Sequence, residues 1–265
     1  MSTVIRSAVA LLLALFAAGS QSGPQQLYLA TGYVDQSTDP YWSSVVLLAH
    51  FEGTNGASTF TDGSASAHTM TNSGGTAPNT NTTSSTQAKF GSTSWNNNGS
   101  SQRIALGGTT TDWNFGSGDF TIEWWEYNDP TGAIISWQRE EANPTLRGFA
   151  VQRYSAAGLY VYQNWNAEST TWTFTAPANQ WSHVALVKIS GAFTVYVNGA
   201  NVAIATQSAG FPSTYNNTTG YLGSLYNTAT IANTLSGYVD DLRVTKGVGR
   251  YTGNFIIRST AFPDS

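Results

Sequence analysis

Apolar and polar residues alternate along much of the chain from residue 45 onwards, a pattern typical of strands whose two faces differ. The clearest case begins at Phe120, where Phe120, Ile122 and Trp124 alternate with Thr121 and Glu123. Side chains two residues apart share one face of a strand, so this run predicts one buried and one more polar face. A long stretch with this pattern therefore predicts a β-sheet protein.

Turn signals separate the apolar runs at short, even intervals. Residues 181–189 and 193–197 flank a glycine-bearing loop, and Asn198-Gly199 begins a second tight turn. About a dozen such runs predict an all-β sandwich or barrel. Trp124 and Trp181 lie in strong strand patterns, and we expect both in the core.

Composition narrows the class of protein further. Only 10% of the 265 residues are charged, 13% are aromatic, and there are 26 glycines and no cysteine. The net charge of −4 and the scattered basic residues argue against nucleic-acid binding, which depends on clustered Lys and Arg. Without cysteine, the chain has no disulfide framework, thiolate metal site or thiol nucleophile.

The N-terminal region differs from the rest. Residues 7–18 form an apolar run after Arg6, too short for a comfortable transmembrane helix. This run predicts either an assembly or anchoring segment over residues 1–22 or a secretory signal peptide. Residues 23–44, punctuated by Pro and Gly, are predicted to be a connector with one short strand at 26–30, and residues 45–265 the main domain.

Six short segments carry a family resemblance, in this order along the chain: Phe51-Glu52-Gly53, Lys89-Phe90-Gly91-Ser92, Phe115-Gly116-Ser117-Gly118-Asp119-Phe120-Thr121-Ile122-Glu123-Trp124, Trp181-Ser182-His183-Val184-Ala185, Val195-Tyr196-Val197-Asn198-Gly199 and Gly237-Tyr238-Val239-Asp240-Asp241-Leu242-Arg243. Together they resemble the laminin G-like, concanavalin A-like jelly-roll family. The resemblance implies a sandwich of two antiparallel sheets with its first and last strands adjacent. It also implies glycan or protein binding more often than catalysis. The ending at residues 244–255 is similar to versions found in bacteriophage virion proteins.

The glucanases of this fold family carry Glu, Asp and Glu at alternating strand positions, and this pattern is absent here. Glu123 and Glu126 are three residues apart, so on a strand they point to opposite faces. The adjacent pairs Glu140-Glu141 and Asp240-Asp241 fail for the same reason. We therefore expect a protein that is not an enzyme. His183, at the start of a strong strand, is expected to be half-buried and bonded to backbone.

The resemblance also implies a calcium site near the meeting of the first and last strands. Its matching oxygens would come from Glu52, Asp62 and Asp240, together with loop carbonyls, because Ca²⁺ prefers oxygen ligands. The alternative is a structural role, in which Asp240 or Asp241 pairs with Arg243 or accepts backbone hydrogen bonds.

Aromatic residues in or near loops are candidates for stacking on sugar rings. They are Trp137, Trp165, Trp172 and Tyr215. For each of them, a place in the core or in an interface is the alternative.

These observations lead to one main expectation and two alternatives. We expect a non-enzymatic virion structural protein (a fibre, spike, decoration or tail-attached protein) that binds other virion proteins through residues 1–44 and forms a homo-oligomer. Its exposed jelly roll would bind host-surface glycans. A secreted or cell-surface bacterial lectin is the first alternative, and a divergent glycoside hydrolase is the second.

Overall fold

The structure, a computed structural model, describes residues 37–73, 81–100, 102–139, 149–154, 158–163, 168–207, 217–226 and 231–265. Its helical elements are a 3-10 turn at Trp42–Ser44 and helix α1 at Thr110–Trp113. Within these ranges, no helix has both the length and the apolar character needed to cross a membrane. The strand predicted at residues 26–30 lies outside the described residues.

One antiparallel sheet, sheet A, contains the first and last strands. Its strands are β1 (Val45–Ala49), β4 (Thr82–Ser84), β5 (Ser94–Asn98), the first half of β7 (Phe120–Arg139), β11 (Trp181–Ile189), β12 (Ala192–Val197), β13 (Ala200–Val202) and β18 (Ser236–Lys246). Strand β18 lies at its centre, with β7 on one side and β1 and β5 on the other. The predicted adjacency of the first and last strands is therefore confirmed.

The second antiparallel sheet, sheet B, is built around the other half of β7. Its remaining strands are β2 (Phe60–Thr61), β3 (Thr69–Ser73), β6 (Arg103–Leu106), β8 (Phe149–Tyr154), β9 (Gly158–Gln163), β10 (Glu168–Trp172), β14 (Ile204–Gln207) and β15 (Asn217–Leu222). A separate small pair joins β16 (Leu225–Tyr226) to β17 (Ile231–Ala232).

Strand β7 belongs to both sheets. Its residues 120–127 pair with β11 and β18, and its residues 132–139 pair with β8 and β15. Pro130 lies between the two halves and is not a register partner in either sheet. Proline has no backbone N–H, so at this position it breaks no hydrogen bond between central strands. The alternating pattern that begins at Phe120 predicted a strand here, and in the structure this strand extends to Arg139 and turns from one layer to the other.

The main core lies between the two sheets. Sheet A contributes Ile122, Trp124 and Leu186, and sheet B contributes Trp137 and Trp172, all fully buried. Burial of large aromatic side chains is a dominant favourable term in the stability of such a core. The predicted all-β sandwich of two antiparallel sheets is confirmed.

The opposite face of sheet A, its outer face, is covered over most of its area by the ends of the described chain. Tyr251 and Phe255 pack on Tyr196, and Phe262 packs beside Leu48 and Trp42. The covering stretch, residues 248–265, is called here the C-terminal segment. Trp42 lies in the predicted connector, so the end of that connector packs on the sandwich.

Candidate glycan-binding face

Strands β11, β7 and β18 lie side by side and place their alternate residues in rows on the outer face of sheet A. Trp181, Tyr127 and Tyr238 are register partners, and they form what we call the aromatic row. Because a strand alternates its faces, the residues two positions along each strand form a parallel row on the same face. These are His183, Trp125 and Asp240, called here the second row.

The aromatic row is partly exposed, in contrast with the tryptophans of the core. Tyr127 is central, with its ring centroid 5.5 Å from that of Trp181 and 6.3 Å from that of Tyr238. The interplanar angles are 60° and 89° respectively. All three side chains retain partial solvent access. The row therefore presents amphipathic rings, with both apolar faces and polar tips, at the surface.

An amide side chain borders the row on one side, where Asn96 of β5 lies opposite Tyr238 and is partly exposed. Asn128 follows Tyr127 along β7, and its Oδ1 atom accepts a hydrogen bond of 3.0 Å from the backbone N–H of Asn179; both residues are exposed. An amide offers donors and acceptors together, which suits a ligand rich in hydroxyl groups.

The second row is buried and contains unused hydrogen-bonding atoms. Trp125, His183 and Asp240 are each no more than 2% exposed. The Nε1 of Trp125, the Nδ1 of His183 and the Oδ1 of Asp240 have no hydrogen-bond partner among the described residues. Such atoms normally have a protein, water or ligand partner. The second row is therefore a part of the outer face with unsatisfied buried polar atoms.

A short turn lies over the second row. The backbone N–H groups of Lys89 and Phe90 donate to Oδ2 of Asp240 at 2.8 and 3.2 Å. The Lys89 ammonium lies 4.1 Å from the centroid of the Trp125 ring, and Phe90 meets that ring edge-on. Burial raises the pKa of Asp240 to about 7, although these two backbone hydrogen bonds oppose the change.

Comparison with known proteins now places the chain in a family. The sequence model of the laminin G-type group of the concanavalin A-like lectin/glucanase superfamily matches residues 98–248, more than half of the chain. The chain belongs to this superfamily. No curated protein matches its sequence.

Solved structures resemble this superfamily member in fold. Domain 4 of AbnA, an extracellular arabinanase from Geobacillus stearothermophilus solved with arabinotriose, is 16% identical with a TM-score of 0.52. The match covers 78% of this chain and 94% of that one. A botulinum neurotoxin type C structure, whose cell entry depends on two ganglioside molecules, is 12% identical with a TM-score of 0.50. That match covers 78% of this chain and 49% of the toxin chain. The predicted jelly-roll fold is thus confirmed.

The superfamily includes glucanases, so the positions of the acidic side chains matter. On the outer face, Glu123 accepts hydrogen bonds from Arg243, Tyr251 and His183. Burial alone would raise the pKa of Glu123, but the charge of Arg243, the hydrogen bond from His183 and the charge of Arg250 outweigh burial and lower it.

Glu126 lies on the opposite face of β7, where it pairs with Arg153 and accepts a hydrogen bond from Trp124 Nε1. The prediction that Glu123 and Glu126 point to opposite faces is confirmed. His183 is more buried than expected, and its Nε2 lies 3.2 Å from Glu123 Oε2. The backbone N–H of His183 donates a hydrogen bond of 2.9 Å to the side-chain oxygen Oδ1 of Asn198.

The three residues nominated for calcium do not form one site. Glu52 accepts from the N–H and Oγ of Ser92, and Asp62 accepts from Leu48, Ser64 and His68. Both oxygens of these two carboxylates already have protein donors. Within the described ranges, no group of three His, Asp or Glu side chains is arranged to hold a metal ion.

The structural alternative describes these carboxylates better, because each one fixes a turn or a strand end. Glu52 and Asp240 hold the turn at residues 89–92 from two sides. It is Glu123 rather than Asp240 or Asp241 that pairs with Arg243. Calcium binding by this protein stays a prediction.

The aromatic residues nominated for glycan stacking also need correction. Trp137 and Trp172 are fully buried in the core, so their ring faces are not available to a sugar. Trp165 and Tyr215 lie outside the described residues. Trp181, expected in the core, instead belongs to the partly exposed aromatic row, whereas Trp124 is in the core as expected. The alternation of faces along β11 could have predicted the position of Trp181. Trp181 shares a face with His183, and the apolar Val184 and Leu186 lie on the opposite face.

Proposed function

We propose that this protein is a non-enzymatic glycan-binding protein that uses the aromatic row of Trp181, Tyr127 and Tyr238. The observation that carries the proposal is this row of three partly exposed aromatic rings, with the partly exposed amide of Asn96 beside it.

Sugar rings suit such a surface because they have C–H-rich faces and hydroxyl-bearing edges. The C–H faces stack on aromatic rings, and the hydroxyl groups take hydrogen bonds from Asn side chains and from the Tyr hydroxyls. The arabinanase domain solved with arabinotriose and the botulinum neurotoxin whose cell entry depends on two ganglioside molecules share this fold, and their ligands are compatible with the proposal. The proposal itself rests on the residues of this chain.

The arrangement of acids supports binding without hydrolysis. A retaining glycosidase needs two carboxyl groups about 5–5.5 Å apart on either side of the scissile bond. Glu123 and Glu126 lie on opposite faces of β7, and each is held by an arginine. Neither is placed to act with the other on one sugar linkage.

A glycan array probed with the full chain tests the proposal, followed by calorimetry on each glycan that binds. We expect Trp181→Ala to weaken binding by about five- to tenfold, since loss of one stacking ring costs on the order of 1–1.4 kcal/mol. Ile204→Ala is the matched control, because it removes an exposed apolar side chain from sheet B. Equal affinity of Trp181→Ala and the control would contradict the proposal.

We further propose that the protein is a virion component, with residues 1–44 bound to other virion proteins and the glycan-binding face presented to the host surface in a homo-oligomer. The apolar run at 7–18 and the phage-like ending at 244–255 support this reading. A secreted or cell-surface lectin is the alternative. Intact-mass measurement separates them: a native protein that begins near residue 20 favours the lectin, and a native chain retaining residues 1–19 within purified particles favours the virion component.

A further inference from the structure

The three rings of the aromatic row do not lie in one plane. Trp181 is inclined by 60° to Tyr127, and Tyr238 is nearly perpendicular to Tyr127 at 89°. The backbone registers fix this order, because Trp181, Tyr127 and Tyr238 are direct partners across three adjacent strands. The row therefore forms a bent cradle rather than a flat platform.

Ring geometry limits which polysaccharides can bind. The surface of a packed polysaccharide is flat, and it can stack on several aromatic rings only when those rings are coplanar. No single plane lies flat on the central ring, Tyr127, and on either of its neighbours, which are inclined to it by 60° and 89°. A packed surface stacked on Tyr127 would therefore be held away by the two inclined rings beside it.

The cradle fits a smaller and more curved ligand. Three adjacent strands span about 10 Å, which accommodates one or two sugar units. One sugar can stack on one ring while the inclined neighbours contact its edges. Asn96, beside Tyr238, can then bond its hydroxyl groups.

Resting on the proposed glycan-binding function, we infer that the ligand is the end or a bent portion of a soluble oligosaccharide and not the face of a packed polysaccharide. The affinity for this ligand then depends on the angles between the three rings. Removing either flanking ring should open the cradle and weaken binding.

The experiment compares two kinds of glycan with the same full-length proteins. Soluble oligosaccharides are titrated by calorimetry, and insoluble cellulose and chitin are used in sedimentation assays. Wild type, Trp181→Ala, Tyr238→Ala and the control Ile204→Ala are tested, and circular dichroism verifies that each is folded. We expect soluble ligands to lose about five- to tenfold in affinity with each aromatic variant, and wild type to sediment with neither solid.

The other outcomes are distinguishable. Sedimentation of wild type with cellulose or chitin that Trp181→Ala abolishes would overturn the inference and leave the proposed function intact. Soluble binding that neither aromatic variant changes, or no glycan binding at all, would overturn the proposed function itself.

Discussion

Glu123 and Arg243 face each other across β7 and β18, with Oε1 of Glu123 accepting from Nε and Nη2 of Arg243 at 3.0 and 2.8 Å. Both side chains are buried, and Arg243 also bonds Asp39 at 2.7 Å. Asp39 in turn accepts two hydrogen bonds from Arg250 of the C-terminal segment. This ion pair thus joins two central strands to both ends of the described chain.

Breaking the pair should be costly. Arg243→Met leaves Arg250 as the one guanidinium, among the described residues, that pairs with the two buried carboxylates of Glu123 and Asp39, so we expect a loss of about 3–5 kcal/mol in the free energy of unfolding. Urea denaturation at neutral pH measures this loss. Arg103→Met is the control, since Arg103 is partly exposed over Tyr221 and should cost about 1 kcal/mol or less. A similar, small loss in both variants would contradict the prediction.

His50 gives the fold a dependence on alkaline pH. Its two ring nitrogens lie 2.5 Å from Asp241 and 2.9 Å from Asp264. Burial lowers the pKa of His50, but the hydrogen bonds and charges of these aspartates outweigh burial and raise the pKa to about 9. The stabilisation is fully present below the unfolded-state pKa of about 6.5 and disappears as pH rises through about 9.

We therefore expect His50→Gln to lower the free energy of unfolding by about 1–3 kcal/mol at pH 6, and by progressively less up to pH 10. Asp264→Asn removes the exposed partner alone and should show a smaller effect of the same sign. Urea titrations over this pH range give the result. A constant difference between wild type and His50→Gln from pH 6 to 10 would count against the proposed linkage.

Asp240 acts in the same direction as His50, because its pKa is also raised in the folded protein, but over a lower pH range. Its pKa of about 7 in the folded protein lies above the usual aspartate value of about 3.8, so the folded protein keeps a proton that the unfolded chain releases. As pH rises from about 4 to about 7, this site alone should cost up to about 4 kcal/mol. Asp240→Asn removes the ionisation and keeps an acceptor for Lys89 and Phe90. We expect the variant to gain stability relative to wild type as pH rises from 4 to 8, which urea denaturation measures. A pH-independent difference would contradict the assignment.

Much of the strand order could be predicted, because alternation is a local property. Strand β11 has the predicted bounds, residues 181–189. The turn of β7 between layers was missed because its two halves look like separate strands. Only pairing with distant strands reveals their continuity.

The candidate site was much less predictable, because exposure depends on what covers each face. Trp172 and Trp181 both lie on strands, yet one is in the core and the other on the outer face. Likewise, His50 meets Asp264, 214 residues later, only because the C-terminal segment folds back across sheet A. The contact between His50 and Asp264 leaves no local sequence signal, because it joins residues so far apart in the chain.

Two turn glycines offer a direct test of how the C-terminal segment is held. Gly199 and Gly191 have similar positive φ angles of 80° and 85°, which disfavour any residue with a Cβ. The carbonyl of Gly199 accepts a hydrogen bond of 2.9 Å from the backbone N–H of Phe255. A Cβ at residue 199 would overlap the Phe255 carbonyl oxygen, whereas a Cβ at residue 191 would meet nothing within 4 Å.

Both Gly→Ala variants should therefore lose about 1–2 kcal/mol from backbone strain, and only Gly199→Ala should also displace the C-terminal segment. Phe255 stacks on Tyr251 at 3.6 Å, so displacement of one ring disturbs the other. Hydrogen exchange followed by mass spectrometry should show faster exchange across residues 248–265 in Gly199→Ala than in Gly191→Ala. Identical exchange of this segment in the two variants would mean that the contact between Gly199 and Phe255 does not hold it in place.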